Sequence, residues 1–316
     1  MRFSYPAIDF DAKTILAFAD IFETGWVSNS GHVRAIETHF VERFGVAHAI
    51  ACCNATQGLS IALTAAGWQN RRVMVPAFTW PSTVYAIERN SCTPVYADID
   101  PETWAIDPAS CREPVDAAIP VDIFGNMVEP RLPAEIPTIY DAAHGYGLPR
   151  LGHRGIAEVV SMSHTKYPTA SEGGVILTND PAVAETAIEL RRLAARMSEF
   201  NAIIGLNSIR KYEHWRSNRD ALIRRYLEGI RHPFDRQRIP TATNNSVFAL
   251  LFEPDLRNRI VHNLTETLQL ETKVYYEPLA RGLKHTESVF SRILALPTHM
   301  KMAEIVEDVI RCINYS

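Results

Sequence analysis

The sequence predicts an α/β protein: a doubly wound, mostly parallel sheet followed by a smaller α+β segment. Two observations carry this. From about residue 46 to 180, short apolar runs of strand length alternate with stretches of helical periodicity, as in a parallel sheet wrapped by helices. Past residue 180 long helical stretches take over, and strands and helices mix again from 233 onward. With 316 residues, 47% of them hydrophobic, the chain can bury a large core. The organisation expected is a large domain over 1–232, including a long linking helix, and a small one over 233–316.

The elements follow in order. The first 45 residues read as mostly helical, with an interruption around 26–31. A strand is expected at 48–52, then a helix over 56–66 whose apolar positions include Leu59, Ile61, Ala62 and Leu63. Strands at 72–75 and 94–99 flank a helix at 81–89 that opens on Pro81, a residue suited to a first helical turn. Further short strands are expected at 117–121, 138–140, 159–162 and 174–177. Helices are expected over 181–196 and 198–231, the second ending before Pro233 because proline disfavours helix in the residue preceding it. The remainder holds strands at 246–252 and 272–276 and helices at 256–268 and 302–313.

Composition excludes several classes of function. A formal net charge of −4 gives no electrostatic footprint for nucleic acid, and the pairs Arg191-Arg192 and Arg224-Arg225 read as solvated helix faces. No apolar run approaches the length of a membrane span, and Met-Arg-Phe-Ser-Tyr-Pro at the start lacks the apolar core of a signal peptide. Five cysteines, odd in number and without metal-type pairing, fit reduced thiols and a cytoplasmic location. The eleven histidines show no ligand spacing, so no metal site is expected.

Chemistry enters at Lys166. It closes the run Ser161-Met162-Ser163-His164-Thr165-Lys166, and 25 residues upstream (166 − 141) Asp141 ends an apolar run. An acid after one buried strand and a lysine after the next is the arrangement pyridoxal phosphate requires. The lysine holds the cofactor as a Schiff base, and the carboxylate keeps the pyridine nitrogen protonated so that the ring acts as an electron sink. Three further pieces would have to converge on them. Asn54-Ala55-Thr56-Gln57-Gly58 opens a helix, whose free N–H groups can hold a phosphate; simple capping by Asn54 is the other reading. Trp80 could stack on a planar ring, although a lone tryptophan more often belongs to a core. His144 could reach the ring's 3-oxygen and Ser161 the phosphate.

The order of these pieces resembles the DegT/StrS-type sugar aminotransferases, within the aspartate aminotransferase superfamily of fold type I. Cys53-Asn54-Ala55-Thr56 stands where the family has Cys-Asn-Gly-Thr, and the run from Pro76 to Thr83 matches its proline-aromatic segment. Pro94-Val95-Tyr96-Ala97-Asp98-Ile99-Asp100, Ile106-Asp107-Pro108, Asp141-Ala142-Ala143-His144 and Glu172-Gly173-Gly174 also fit, as do Met197-Ser198-Glu199 and Ser28-Asn29-Ser30-Gly31. The resemblance covers nearly the whole chain. It implies Lys166 as the Schiff-base lysine and proton shuttle, with Asp141 on the pyridine nitrogen and His144 and Trp80 against the cofactor. Ala55, Thr56 and Ser161 would hold its phosphate. It further implies a homodimer and amino transfer from glutamate to a nucleotide-linked keto-deoxysugar. A dehydratase subgroup replaces the lysine with histidine, against which Lys166 argues, although His164 lies close by.

Two departures stand out. The family's loop between its arginine-rich helix and the Met-Ser-Glu motif is all but missing, so Ala194 takes the place of an asparagine that reaches the partner's phosphate. Ala55 replaces glycine. The shortened loop leaves two other readings open: transamination of a non-sugar ketone or aldehyde, and a degenerate cofactor-binding protein acting as a regulator or partner subunit.

Overall fold

The computed structural model describes Ser4 and residues 11–316. Its central sheet sets β1 (His48–Cys52), β7 (Gly174–Thr178), β6 (Ala157–Ser161) and β5 (Ile139–Asp141) side by side in that order. Parallel bridges Ala118–Thr138 and Val121–Asp141 join β5 to a second, all-parallel set: β4 (Ala117–Ala118), β2 (Arg72–Pro76) and β3 (Thr93–Ala97). The order across the sheet is β3-β2-β4-β5-β6-β7-β1, and β7 runs against both its neighbours. The mostly parallel sheet expected from the sequence is therefore present.

The strands read as continuous apolar runs because both faces are covered. Along β7, Ile176 packs with Leu59, Ile61, Val159 and Ala187 on one side, while Val175 and Leu177 pack with Ile36, Phe40, Val160 and Met197 on the other. The first face carries α3 (Ala55–Ala65), α4 (Pro81–Arg89) and α5 (Pro181–Ala194); the second carries α2 (Gly31–Phe44) and the start of the long α6 (Glu199–Gly229). Before them comes α1 (Ala12–Thr24).

Two motifs far apart in sequence meet across α2 and α6. Glu199 is 2% exposed and its carboxylate accepts from the N–H groups of Ser30, His32 and Val33, the orphan donors of the α2 N-terminus, while His32 Nδ1 lies 2.9 Å away. A carboxylate there also suits the positive end of the helix dipole. Ser30 itself makes no side-chain cap, so the cap comes from residue 199.

The C-terminal part holds an antiparallel pair, β8 (Phe248–Leu251) and β9 (Ile293–Leu296), with α7 (Pro254–Leu268) and α9 (Val306–Asn314). Its core is shared with the far end of α6 through Leu222, Ile223 and Tyr226. Two expectations change here. Residues 272–276 make only one bridge, Lys273 to Ala295, rather than a strand. An unexpected helix, α8 (Lys284–Arg292), follows. Its own N-terminus supplies no cap; the buried carboxylate of Asp98 does, accepting from the His285 and Thr286 N–H groups and the Thr286 hydroxyl at 2.8–2.9 Å. Four hydrogen bonds, the fourth from Ile99 N–H, hold the Asp98 carboxyl below its usual range against the opposing effect of burial. Among the described residues no helix is long and apolar enough to cross a membrane, and no group of acids, histidines and cysteines could hold a metal ion.

Candidate active site

The site forms where the carboxyl ends of parallel strands meet the N-termini of α3 and α4, the crevice open α/β sheets offer to ligands. β5 ends on Asp141 and its parallel neighbour β6 ends on Ser161. Asp141 is 3% exposed; its carboxylate accepts from the Thr83 hydroxyl at 2.6 Å and from the Ala143 N–H at 3.0 Å. Thr83 comes from the first turn of α4, and Thr79 Oγ1 lies 3.2 Å behind it, so a short hydroxyl chain feeds the acid. Burial nonetheless raises the Asp141 carboxyl above its ordinary value, with these hydrogen bonds and the Lys166 charge opposing.

Lys166 Nζ lies 2.5 Å from His144 Nε2, and His144 Nδ1 lies 2.8 Å from Ser246 Oγ. With Nε2 accepting from the lysine, Nδ1 carries the proton and donates to Ser246. Burial first, and the Lys166 charge second, push His144 well below the usual imidazole range, so it stays neutral. Lys166 itself falls to about 8 because its amine is desolvated, with the Asp141 charge pulling the other way. At pH 7 about a tenth of an amine of that basicity is unprotonated and nucleophilic, against under about a thousandth for an ordinary lysine.

The α3 end of the site is built around Gly174, which pairs with Cys52 of β1 on one side and Ser161 of β6 on the other. A Cβ on Gly174 would stand 2.6 Å from the Ala55 nitrogen, so only glycine lets β7 pass this close to the helix start. Asn54 caps α3 by accepting from Gln57 N–H at 2.9 Å. Helix geometry gives the Ala55 and Thr56 N–H groups no intrahelical acceptor. Capping and an anion cradle are thus compatible here.

Trp80 sits at the N-cap position of α4, exposed, its ring edge-on to Tyr276 with centroids 6.2 Å apart. These two and Pro81, Val274, Tyr275 and Glu277 line a cleft of about 320 Å³. Burial first, with smaller contributions from Tyr275 and Asp141, raises the Tyr276 hydroxyl well above its ordinary value, so it remains a donor.

The structure brings Asp141, His144 and Lys166 together and places Ser161 and Ala55 on either side of Gly174. Sequence reasoning missed Thr83, Ser246 and Tyr276. Thr83 lies inside the proline-aromatic run 76–83, whereas nothing local marks Ser246, which is 102 residues from His144. His164 is exposed and is not part of the pair made by Lys166 and His144.

A sequence model of the DegT/DnrJ/EryC1/StrS aminotransferase family matches residues 9–314. The chain belongs to that family. As a DegT/DnrJ/EryC1/StrS protein it is a pyridoxal phosphate-dependent aminotransferase. Solved structures agree in fold. DesI, determined in the presence of its TDP-sugar product, is 26% identical with a TM-score of 0.85, covering 98% of this chain and 91% of its own. NtdA from Bacillus subtilis, with bound PMP, is 20% identical with a TM-score of 0.85, over 98% and 83%. DesV from S. venezuelae, in complex with a ketimine intermediate, is 21% identical with a TM-score of 0.83, over 96% and 94%.

The lowered basicity of Lys166 sets a pH dependence. Uptake of pyridoxal phosphate by the cofactor-free protein, followed as growth of its visible band, is expected to quicken with pH up to about 8 and then level off. An ordinary lysine would keep gaining to about pH 10.4.

Proposed function

We propose that the protein transfers an amino group from glutamate to the keto carbon of a nucleotide-linked keto-deoxysugar. The observation that carries the reading is the half-buried Lys166 amine against neutral His144, with Asp141 ending the adjacent strand. The residues present fit pyridoxal phosphate. Among the described residues the Asp141 carboxylate accepts two hydrogen bonds, which leaves capacity for a ring N–H. The Ala55 and Thr56 N–H groups at the positive end of α3, with the Ser161 hydroxyl, suit its phosphate. Bound there, the cofactor supplies a sink for the electron pair left when a proton leaves the donor's Cα. Lys166 Nζ takes that proton and returns it on the other side of the half-reaction. His144, fixed by Ser246, orients the amine. Thr83 fixes the Asp141 carboxylate, and Trp80 with Tyr276 walls the entrance.

The acceptor class is supported by the family and by DesI, and by the aromatic lining of the cleft, since sugar and base faces pack well on Trp and Tyr. A specific observation favours the second reading, a non-sugar ketone or aldehyde. Only residues 195–198 connect α5 to α6, and the Ala195 carbonyl accepts directly from Cys53 N–H at 2.8 Å, so the roof over the phosphate end is short. We further read the protein as a cytoplasmic homodimer, with 233–316 as a small domain. Free cysteines support the compartment, the exposed Ile15, Leu16, Phe22 and Trp26 support self-association, and the apolar cluster around β8 and β9 supports the domain.

The test is spectroscopic. Glutamate should bleach the visible band of the holoenzyme, and a keto-deoxysugar nucleotide should restore it. Restoration by simple aldehydes alone would move the assignment to the second reading. A band indifferent to glutamate and to other amino donors would leave only a degenerate cofactor binder.

A further inference from the structure

Arg219 lies on α6 and is 2% exposed, yet none of its three guanidinium nitrogens has a hydrogen-bond partner among the described residues. An unpaired buried charge is costly, and Leu or Met would fill the same space without that cost. Its contact is a ring: Cζ lies 4.7 Å from the centre of Tyr167, the residue after Lys166. Tyr167 is held edge-on by Trp215, one turn earlier on α6, at 5.6 Å. One turn earlier again, the Tyr212 hydroxyl donates to the Tyr146 carbonyl at 2.8 Å. Positions 212, 215 and 219 share one helical face, and that face grips both segments that meet at the site, the one after His144 and the one after Lys166. The charged and titratable groups facing Arg219 are Tyr167, Tyr212, Asp220 and Arg216, with His144 within reach of its charge. Asp220 is engaged elsewhere, accepting from Asn245 Nδ2 at 2.7 Å.

We propose that Arg219 is a positioning residue for Lys166, clamping the Tyr167 ring from behind and holding a fixed positive charge within reach of His144, the partner of the Lys166 amine. The inference rests on the cofactor site proposed above. A guanidinium is suited to it because it is always charged and its flat face lies on an aromatic ring, whereas an ammonium matches only the charge.

The experiment titrates the visible band of the pyridoxal phosphate-loaded protein and follows the glutamate half-reaction. With the positive charge removed in Arg219→Met, the band's pH midpoint should rise by about one unit. The rate constant should fall about tenfold with the glutamate concentration dependence unchanged. Arg219→Lys should restore the midpoint but not the rate. Arg219→Met with wild-type midpoint and rate, whatever its melting temperature, overturns the proposal. Should that variant fail to fold, Tyr167→Leu and Tyr167→Phe decide. The leucine variant should show the rate loss and the phenylalanine variant should keep the midpoint; a leucine variant matching wild type overturns the clamp. A wild-type protein that develops no band at all fails the cofactor assignment instead, so the two failures are distinguishable.

Discussion

Lys166→Ala is expected to purify without the visible, borohydride-sensitive band and to lose glutamate-dependent amino transfer by at least about 10³-fold. The expectation follows from what the amine alone provides. It is the half-buried nucleophile 2.5 Å from His144, and its basicity is already lowered to about 8, close to where a proton shuttle works best. His144 cannot replace it: burial and the neighbouring charges hold its ring neutral, and its other nitrogen is tied to Ser246. His164 is exposed. The fold should tolerate the change. Removing a desolvated amine relieves a cost, and the remaining loss is one hydrogen bond to His144, on the order of 1 kcal/mol. Thermal melts of the cofactor-free proteins should therefore nearly coincide, while a small primary amine added to the variant should recover part of the activity. Activity within tenfold of wild type, with intact colour, would mean that another lysine holds the cofactor.

How much of this could be read from the chain alone divides along the distance over which each feature is determined. The strand at 48–52 and the helix at 81–89 fall where local patterning puts them, because each carries its own signal: an apolar run, or a proline at the first helical turn. Asp141 and Lys166 were legible for the same reason, since each ends or follows a buried strand. What stayed hidden is set across space. α8 has no local cap and depends on Asp98, 188 residues from Thr286. Residues 272–276 have the aromatic and branched composition of a strand, yet Tyr275 and Tyr276 turn to pack with Phe124, Phe78 and Trp80, and only Lys273 pairs. Thr83 and Ser246, which orient the acid and the histidine, are an ordinary threonine and serine until the sheet brings them in. Arg219 is one of many arginines on a helix that reads as solvated, and only its burial singles it out.

Asp141→Asn should separate binding from chemistry. The amide is nearly isosteric with the carboxylate. Its oxygen can still accept from Ala143 N–H, and its NH₂ can donate to the Thr83 hydroxyl, so both existing contacts survive with one reversed. Folding and cofactor uptake should change little, and the variant should still colour. What the amide cannot do is hold a positive charge on the ring nitrogen, because it bears none to oppose it. In the wild-type protein burial drives the Asp141 carboxyl upward, and a cationic ring N–H held beside it would favour the ionised form. Loss of that charge pair in a water-poor site is worth about 3–4 kcal/mol of barrier, or 10²–10³ in rate constant. The measurement is the single-turnover glutamate half-reaction, with the melt and the cofactor dissociation constant taken on the same preparation. A rate constant within a few-fold of wild type would remove Asp141 from the ring nitrogen. Thr83→Val offers an independent check on direction. It deletes the 2.6 Å hydrogen bond that lowers the acid while leaving the carboxylate in place. Its rate loss should be smaller than that of Asp141→Asn and should be relieved as pH rises and the now more basic Asp141 ionises.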